Sequence, residues 1–263
     1  MNKKISVRQY GDAPFRVAVI HGGPGAPGMM APLAKELAAV RGILEPLQRA
    51  SSVEGQIEKL KAQLEAYAKF PVILIGHSWG AWLSYLIAAH YPELVSKLIL
   101  VSSGPFEAEY TEGMTETRLS RLSPDEQAEA RTIMSELSIP STTNKDSLMA
   151  RLGALFEKAD TYDPLPLETV TVECQYEVHT KVWLEAARLR KSGVLLKLGE
   201  RIQSPVIGIH GDYDPHPAVG VEKPLSAILS DFRFILLQRC GHEPWAERHA
   251  RDRFFKILKQ EIA

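Results

Sequence analysis

Cysteine is scarce in this sequence. Its 263 residues include only Cys174 and Cys240, too few for the disulfide framework that stabilises small secreted domains. Neither cysteine belongs to a paired zinc-ligand spacing, and no H-E-x-x-H motif occurs. The sequence therefore predicts neither a metal site nor a cofactor.

An excess of charge and long apolar runs are also missing. The chain has 31 lysines and arginines against 32 aspartates and glutamates, so no basic surface argues for a nucleic acid or an anionic membrane as a partner. Residues 1–8 lack the apolar core of a signal peptide, and no later run reaches transmembrane length. We expect a cytoplasmic protein that binds a small molecule, and the oligomeric state stays open.

The most informative stretch is residues 72–90. A β-branched run that fits a strand buried on both faces leads into G-x-S-x-G at residues 76–80, and an Ala- and Leu-rich run that fits a packed helix follows. In such a strand–turn–helix the serine takes a strained conformation that exposes its hydroxyl at the sheet edge. Ser78 is therefore a candidate nucleophile, and a Cβ at Gly76 or Gly80 would crowd the turn.

Strand-like and helix-like stretches alternate along most of the chain. Residues 5–10 alternate weakly, as an edge strand does, and further apolar runs fit buried strands at residues 15–20, 72–75, 97–101, 205–210 and 232–237. Helical patterns include residues 30–40, 224–230 and 247–258. This alternation predicts an α/β fold with a mostly parallel sheet flanked by helices.

The alternation is interrupted between residues 105 and 191. This segment is helical by pattern, with a capping box at Ser123–Glu126 that places Pro124 at the first helical position. We expect residues 1–104 and 192–263 to form the α/β core, and residues 105–191 to form a helical lid over the carboxyl ends of the strands.

A serine hydroxyl becomes a good nucleophile only when an oriented base takes its proton. An acid and a histidine are therefore expected after later strands, in that order. Asp214 follows the strand that ends near residue 210, and His242 follows the last strand. His216, two residues after Asp214, is expected to be exposed to solvent, and the alternative is that it borders the pocket. The sequence thus predicts a triad of Ser78, Asp214 and His242.

The glycine-rich turn at residues 21–28 has two interpretations. Gly23 to Gly28 match G-x-G-x-x-G after a strand, with Glu45 near the spacing of a ribose-binding acid. However, Pro24 and Pro27 remove amide hydrogens that a pyrophosphate would need. The other interpretation is an oxyanion hole, made by the backbone N–H groups of Gly23 and Trp79.

These residues resemble the α/β-hydrolase fold family. The stretches His21-Gly22-Gly23-Pro24-Gly25 and Gly76-His77-Ser78-Trp79-Gly80 look most like its proline iminopeptidase branch. The resemblance implies that Ser78 is the nucleophile, His242 the general base and Asp214 the acid, with Gly23 and Trp79 as the oxyanion donors. The family's Gly-x-x-Asp spacing from Gly211 selects Asp214, which leaves Asp212 as a turn residue.

Substrate contacts are harder to predict. An iminopeptidase needs carboxylates to hold a substrate ammonium group, and Glu177 and Trp183 lie near each other on a predicted helix of the segment 105–191. They are our candidate substrate-binding residues. Ordinary packing of the helix against the core explains the same pattern.

The sequence as a whole predicts a serine hydrolase. Ser78 would attack a small ester or an aminoacyl amide, form an acyl-enzyme, and be released by water that His242 activates. Two alternatives stay open. One is a non-catalytic ligand-binding protein on the same fold, and the other is a dinucleotide-binding oxidoreductase.

Overall fold

The strands form one sheet. The structure is a computed structural model that describes residues 6–166 and 173–263. Within these ranges the sheet has seven strands in the order β1-β3-β2-β4-β5-β6-β7, and only the edge strand β1 is antiparallel to its neighbour. The strands are β1 (Val7–Tyr10), β2 (Val17–Ile20), β3 (Ile43–Pro46), β4 (Val72–His77), β5 (Val95–Val101), β6 (Val206–Gly211) and β7 (Phe232–Leu237).

Helices account for most of the remaining described residues. In none of these helices are length and hydropathy sufficient to cross a bilayer. They are α1 (Ala31–Leu37), α2 (Val53–Tyr67), α3 (Trp79–His90), α4 (Met114–Ser120), α5 (Pro124–Ser138), α6 (Lys145–Asp160), α7 (Tyr176–Lys191), α8 (Val194–Lys197), α9 (Val219–Ile228) and α10 (Arg251–Ile262).

Helices cover both faces of the sheet, as the apolar runs in its strands require. On one face, Leu60 of α2, Leu83 of α3 and Leu225 of α9 belong to one buried apolar cluster. On the other face, Leu33 of α1 and Phe254 of α10 belong to a second cluster. The predicted α/β fold with a mostly parallel sheet between helices is confirmed.

The strand register determines where the loops meet. His77 at the end of β4 pairs with Val101 at the end of β5, and Val101 pairs with Ile209 of β6. Because these parallel strands end at nearly the same level, the loops after β4, β5 and β6 open on one edge of the sheet. An open α/β sheet binds its ligand at this edge.

The segment between β5 and β6 contains helices α4 to α8. Helices α4, α5 and α6 share a buried apolar cluster of their own, which includes Leu119, Ile133 and Leu155. The predicted capping box is present at the start of α5, where Ser123 and Glu126 exchange side-chain-to-backbone hydrogen bonds. That residues 105–191 act as a lid stays a prediction.

Two helices begin at residues other than those predicted. Helix α9 begins at Val219 instead of Pro224, so the proline lies inside the helix. Proline has no N–H to bond the carbonyl of Gly220, four residues earlier. The N–H of Phe106 donates to that carbonyl instead, at 3.0 Å. Helix α10 begins at Arg251, four residues after the predicted start.

Candidate active site

Ser78 occupies a sharp turn between β4 and α3. Its backbone has φ 53° and ψ −116°, a left-handed conformation that costs energy in a residue with a Cβ. The Ser78 N–H donates to the carbonyl of Val101 at 3.0 Å, which holds the turn against β5. The predicted strained turn is therefore present.

Close backbone contacts explain the glycines around Ser78. A Cβ on Gly76 would collide with the Gly80 carbonyl, and a Cβ on Gly80 would collide with the carbonyl of Ile20. Gly22 is crowded less tightly, because a Cβ there would stand 2.7 Å from His77 Nδ1 and 3.1 Å from the Cβ of Ser78. The crowding predicted for Gly76 and Gly80 is confirmed, and the glycine-rich loop lies directly beside Ser78.

His21 orders the glycine-rich loop. Its Nδ1 lies 2.9 Å from the Gly22 carbonyl, and its Nε2 accepts the N–H of Gln48 at 3.0 Å. These partners fix the neutral tautomer with hydrogen on Nδ1. Burial lowers the pKa of His21 to about 4, so the ring stays neutral at physiological pH.

The two predicted oxyanion donors lie on the loops that meet at Ser78. Gly23 has φ +50°, a conformation that glycine adopts without strain. Trp79 is the first residue of α3, where backbone N–H groups have no partner within the helix. Its indole is held by Gln56, whose Oε1 accepts the Nε1 hydrogen at 2.8 Å. The oxyanion hole itself stays a prediction.

The structure brings Asp214 and His242 together. His242 Nδ1 donates to Asp214 Oδ2 at 2.8 Å, and the carboxylate is fully buried. Burial would raise the pKa of Asp214, but His242, His216 and His210 hold it well below its usual value. Burial would lower the pKa of His242, but the Asp214 carboxylate outweighs this effect and raises it. Asp214 is thus an anion that binds and orients the imidazole.

Asp214 has a second histidine partner that the sequence did not predict. His216 is buried, and both its backbone N–H and its Nδ1 lie within 2.9 Å of Asp214 Oδ1. The expectation that His216 is exposed is therefore wrong. The physical reason is that the buried carboxylate needs donors on both oxygens. The sequence signal that could have predicted this contact is Asp-Pro-His-Pro at residues 214–217, a turn in which the His216 N–H reaches the Asp214 carboxylate.

His77 supports the loop that carries His242. Its Nε2 donates to the His242 carbonyl at 2.9 Å, and its ring lies 4.7 Å from the His242 ring and 4.7 Å from the Trp245 ring, centroid to centroid. Burial holds the pKa of His77 well below its ordinary value. His77 is therefore a neutral donor beneath the predicted general base.

Glu247 connects the same loop to the helical segment. Its carboxylate is buried and accepts backbone N–H bonds from Gly241 at 2.7 Å, Tyr162 at 2.8 Å and Asp163 at 2.9 Å. The sequence pattern placed Glu247 at the start of the last helix, which the structure begins at Arg251. Its carboxylate instead accepts the buried N–H of Gly241 and the partly buried N–H groups of Tyr162 and Asp163.

A second contact connects α6 to the loop of His242. The His242 N–H donates to the carbonyl of Asp160, the last residue of α6, at 2.9 Å. The Asp160 carboxylate pairs with Arg118 of α4, with 2.7 Å between Oδ2 and Nη2. The helical segment is therefore in direct contact with the predicted base.

Asp212 and Cys240 have structural roles. Asp212 Oδ1 accepts the Cys240 N–H at 3.1 Å and so joins the loops after β6 and β7, which agrees with its predicted turn role. Cys240 is fully buried, and burial raises the pKa of its thiol. A thiol in this state is a poor nucleophile.

The two candidate substrate-binding residues differ in their surroundings. Trp183 is half-buried and stacks on Trp82 of α3, with ring centroids 5.6 Å apart and planes at 7°. Glu177 is 76% exposed and pairs with Lys181 one turn along α7. That either residue binds substrate stays a prediction.

Two further groups of polar residues have defined positions. Among the described residues, one donor atom from each of Asp214, His216 and His242 lies within 4.8 Å of the others, and Nδ1 of each histidine hydrogen-bonds to the Asp214 carboxylate. Glu45, the acid of the dinucleotide interpretation, is buried and accepts the Tyr10 hydroxyl at 2.7 Å.

A family comparison covers nearly the whole chain. The sequence profile described as the Alpha/beta hydrolase family matches residues 17–257. This range includes six of the seven strands and all five residues of the predicted triad and oxyanion hole.

Individual proteins show more limited similarity. Epoxide hydrolase 4 of Mus musculus is 34% identical over 65 residues, which are 25% of this chain and only 18% of the mouse protein. The structure of VinJ has a TM-score of 0.69 at 16% identity, and that of proline iminopeptidase from Mycobacterium smegmatis has a TM-score of 0.62 at 18% identity. Each of these two alignments covers 97% of this chain and 93% of the other. They show a shared fold.

Proposed function

Because the chain belongs to the α/β-hydrolase family, we propose that it is a serine hydrolase with Ser78 as its nucleophile. One observation carries the proposal. A buried Asp214 carboxylate orients His242 through a 2.8 Å hydrogen bond, on the loops at the sheet edge where Ser78 holds a strained turn. An oriented imidazole at the same sheet edge as a serine turn is the arrangement that acyl transfer requires.

The proposed reaction has two halves. In the first, Ser78 Oγ attacks the carbonyl carbon of the substrate while His242 Nε2 takes the hydroxyl proton, and Asp214 stabilises the imidazolium. The proton then passes to the leaving alcohol or amine, which leaves an acyl ester on Ser78. In the second half, His242 takes a proton from water and the hydroxide adds to the carbonyl carbon of the acyl ester. The bond from that carbon to Ser78 Oγ then breaks, His242 returns the proton to Oγ, and the carboxylic acid departs.

The N–H groups of Gly23 and Trp79 would stabilise the negative charge on the carbonyl oxygen during both halves. Two features support this assignment. Trp79 begins a helix, whose N-terminus favours an anion. The glycine-rich loop is held against Ser78 by its neighbour Gly22 and by the two hydrogen bonds of His21.

As substrate we propose a small ester or an aminoacyl amide, as in the proline iminopeptidase branch, and as location the cytoplasm. The likeness in fold to a proline iminopeptidase supports the amide. The helical segment would act as the lid that selects the acyl or amine group. Its contact with the triad through the Asp160 carbonyl, which accepts the His242 N–H, supports that role.

A parallel assay of two substrates tests the proposal. A short-chain aryl ester and a proline arylamide are offered to the native protein, to Ser78→Ala and to Ser120→Ala, an exposed control in α4. We expect the native protein and the control to hydrolyse at least one substrate equally, and Ser78→Ala to lose at least roughly 10³-fold in kcat/KM. Undiminished activity in Ser78→Ala would contradict the mechanism.

The same proteins, tested for hydrolysis and for binding of a nicotinamide cofactor, separate the alternatives. A non-catalytic binding protein would hydrolyse neither substrate in any form of the chain. A dinucleotide oxidoreductase would bind a nicotinamide cofactor equally well with and without the Ser78 hydroxyl. The burial of the Glu45 side chain argues against this second alternative, because a carboxylate that is 0% exposed cannot reach a bound ribose.

A further inference from the structure

The carboxylate of Asp214 is held on both of its oxygens by imidazoles. Oδ2 accepts His242 Nδ1 at 2.8 Å and lies 3.5 Å from His210 Nε2. Oδ1 accepts two bonds from one residue, because the His216 backbone N–H lies at 2.9 Å and His216 Nδ1 at 2.8 Å. His216 thus provides both of the hydrogen bonds recorded for the oxygen that does not face the base.

The protonation of His216 follows from its surroundings. Burial lowers its pKa to about 4, although the neighbouring Asp214 opposes the shift. The ring is therefore neutral in the range where His242 works as a base. Because a carboxylate can only accept, the single ring hydrogen of His216 lies on Nδ1.

The backbone around His216 restricts the ring. Pro215 and Pro217 flank it and fix their own φ angles. The His216 carbonyl accepts His210 Nε2 at 2.9 Å, and the His216 ring lies 4.6 Å from the His242 ring, centroid to centroid. The ring therefore cannot swing away from Asp214 without breaking these contacts.

We propose that His216 is a positioning residue of the triad. Its two hydrogen bonds hold Oδ1 so that Oδ2 faces His242 Nδ1, and they take up part of the carboxylate charge that would otherwise bind the proton of His242. The proposal rests on the proposed function in one respect, namely that His242 is the general base.

Two consequences follow. Loss of the His216 side-chain donor loosens Asp214 and so slows the reaction. It also concentrates the negative charge on Oδ2, which strengthens the bond to protonated His242 and raises the pKa of His242 further. The charged and titratable groups that face the two rings are Asp214, His77, His210, Arg118, Asp160 and Glu243.

A pair of variants of equal shape isolates the hydrogen bond. His216→Asn keeps an N–H donor near the position of Nδ1, whereas His216→Leu has the same branched shape without a donor. We expect His216→Leu to lose about tenfold in kcat/KM, the usual scale for a hydrogen bond to a charged group. The apparent pKa at which this variant loses activity in acid should rise by about half a pH unit. His216→Asn should stay near the native values, and His90→Asn is the exposed control.

Two NMR measurements test the proposal without any enzymatic activity. In Ser78→Ala, the His242 pKa is followed by NMR with and without His216→Leu, and we expect it to rise. In the native protein, we expect His216 to remain in the Nδ1–H tautomer down to about pH 4. This second measurement needs no variant to fold, and neither depends on the protein being a hydrolase.

The overturning results are specific. A His216→Leu variant with an unchanged pH profile and an unchanged His242 pKa would overturn the proposal. So would equal damage in His216→Asn and His216→Leu, since the ring's packing and not its donor would then matter. Titration of His216 near 6.5 would also overturn it. If both NMR measurements give the expected results but the native protein hydrolyses neither substrate, only the hydrolase function would be contradicted.

Discussion

Two regions of the molecule are stabilised by different contacts. The triad edge, meaning the loops after β4, β6 and β7, is held by buried polar groups such as Asp214 and Glu247, each bonded to partners far away in the sequence. The helical segment from α4 to α7 has an apolar cluster inside and ion pairs outside. Those pairs include Glu129–Arg151, Glu126–Lys158, Glu116–Arg131 and Glu177–Lys181.

This difference predicts which region tolerates substitutions and changes in pH. A buried polar group that loses its partner costs its full desolvation free energy. An exposed ion pair contributes little, because water and salt screen it. The triad edge should therefore be sensitive to single substitutions and to pH, while the outer face of the helical segment should tolerate both.

Acid should affect the triad edge and the adjacent glycine-rich loop most. Burial lowers the pKa of both His21 and His216 from 6.5 to about 4. The unfolded chain therefore binds more protons than the folded protein below pH 6.5, and stability falls as the pH drops toward 4. At 1.36 kcal/mol per unit, these two residues should remove about 6 kcal/mol.

Urea unfolding at pH 7, 5.5 and 4 measures this loss. The variant His216→Asn should have a shallower decrease, because it lacks one of the buried imidazoles that must be protonated on unfolding in acid. A free energy of unfolding that is constant across this range would show that the buried histidines do not control stability.

Removal of the Asp214 charge should have the next largest effect. Asp214→Asn keeps the shape but cannot stabilise the imidazolium of His242, so we expect kcat to fall by roughly 10³ to 10⁴. The matched control is Asp212→Asn, two residues away, whose carboxylate bonds a backbone N–H instead of the base. Steady-state kinetics measures kcat for both variants. Equal losses of kcat would contradict the assignment of Asp214 as the acid of the triad.

Glu247 and Glu129 provide the smallest and most direct comparison of the two regions. Glu247→Ala removes the acceptor of one buried and two partly buried N–H groups, and we expect it to destabilise the fold by about 3 kcal/mol. Glu129→Ala breaks an exposed pair with Arg151 and should change stability by less than about 1 kcal/mol. Similar losses in the urea midpoints would remove the distinction between the regions.

Local patterns were enough to predict the centre of the fold. The turn at Ser78 follows from a β-branched run, two glycines and an Ala- and Leu-rich run, all within 19 residues of the chain. The pairing of Asp214 with His242 follows from the order of strands, since parallel strands bring their following loops to one edge.

Long-range contacts account for what the sequence did not predict. Glu247 meets Tyr162, 85 positions earlier in the chain, whereas helical periodicity placed it at the start of the last helix. Helix α9 includes Pro224 because Phe106 satisfies the carbonyl of Gly220. His216 was expected at the surface because its burial depends on the packing of its ring beside His242. Tyr162, Phe106 and His242 all lie far along the chain from the residues they contact, so no short stretch of sequence reveals them.

The central claim is that Ser78 is an activated nucleophile. A fluorophosphonate that reacts with activated serines, followed by intact-protein and peptide mass spectrometry, tests it most directly. We expect one adduct per chain, located on Ser78, and none in Ser78→Ala, while Ser120→Ala is labelled like the native protein. No adduct on the native protein, or an adduct that persists in Ser78→Ala, would contradict the claim.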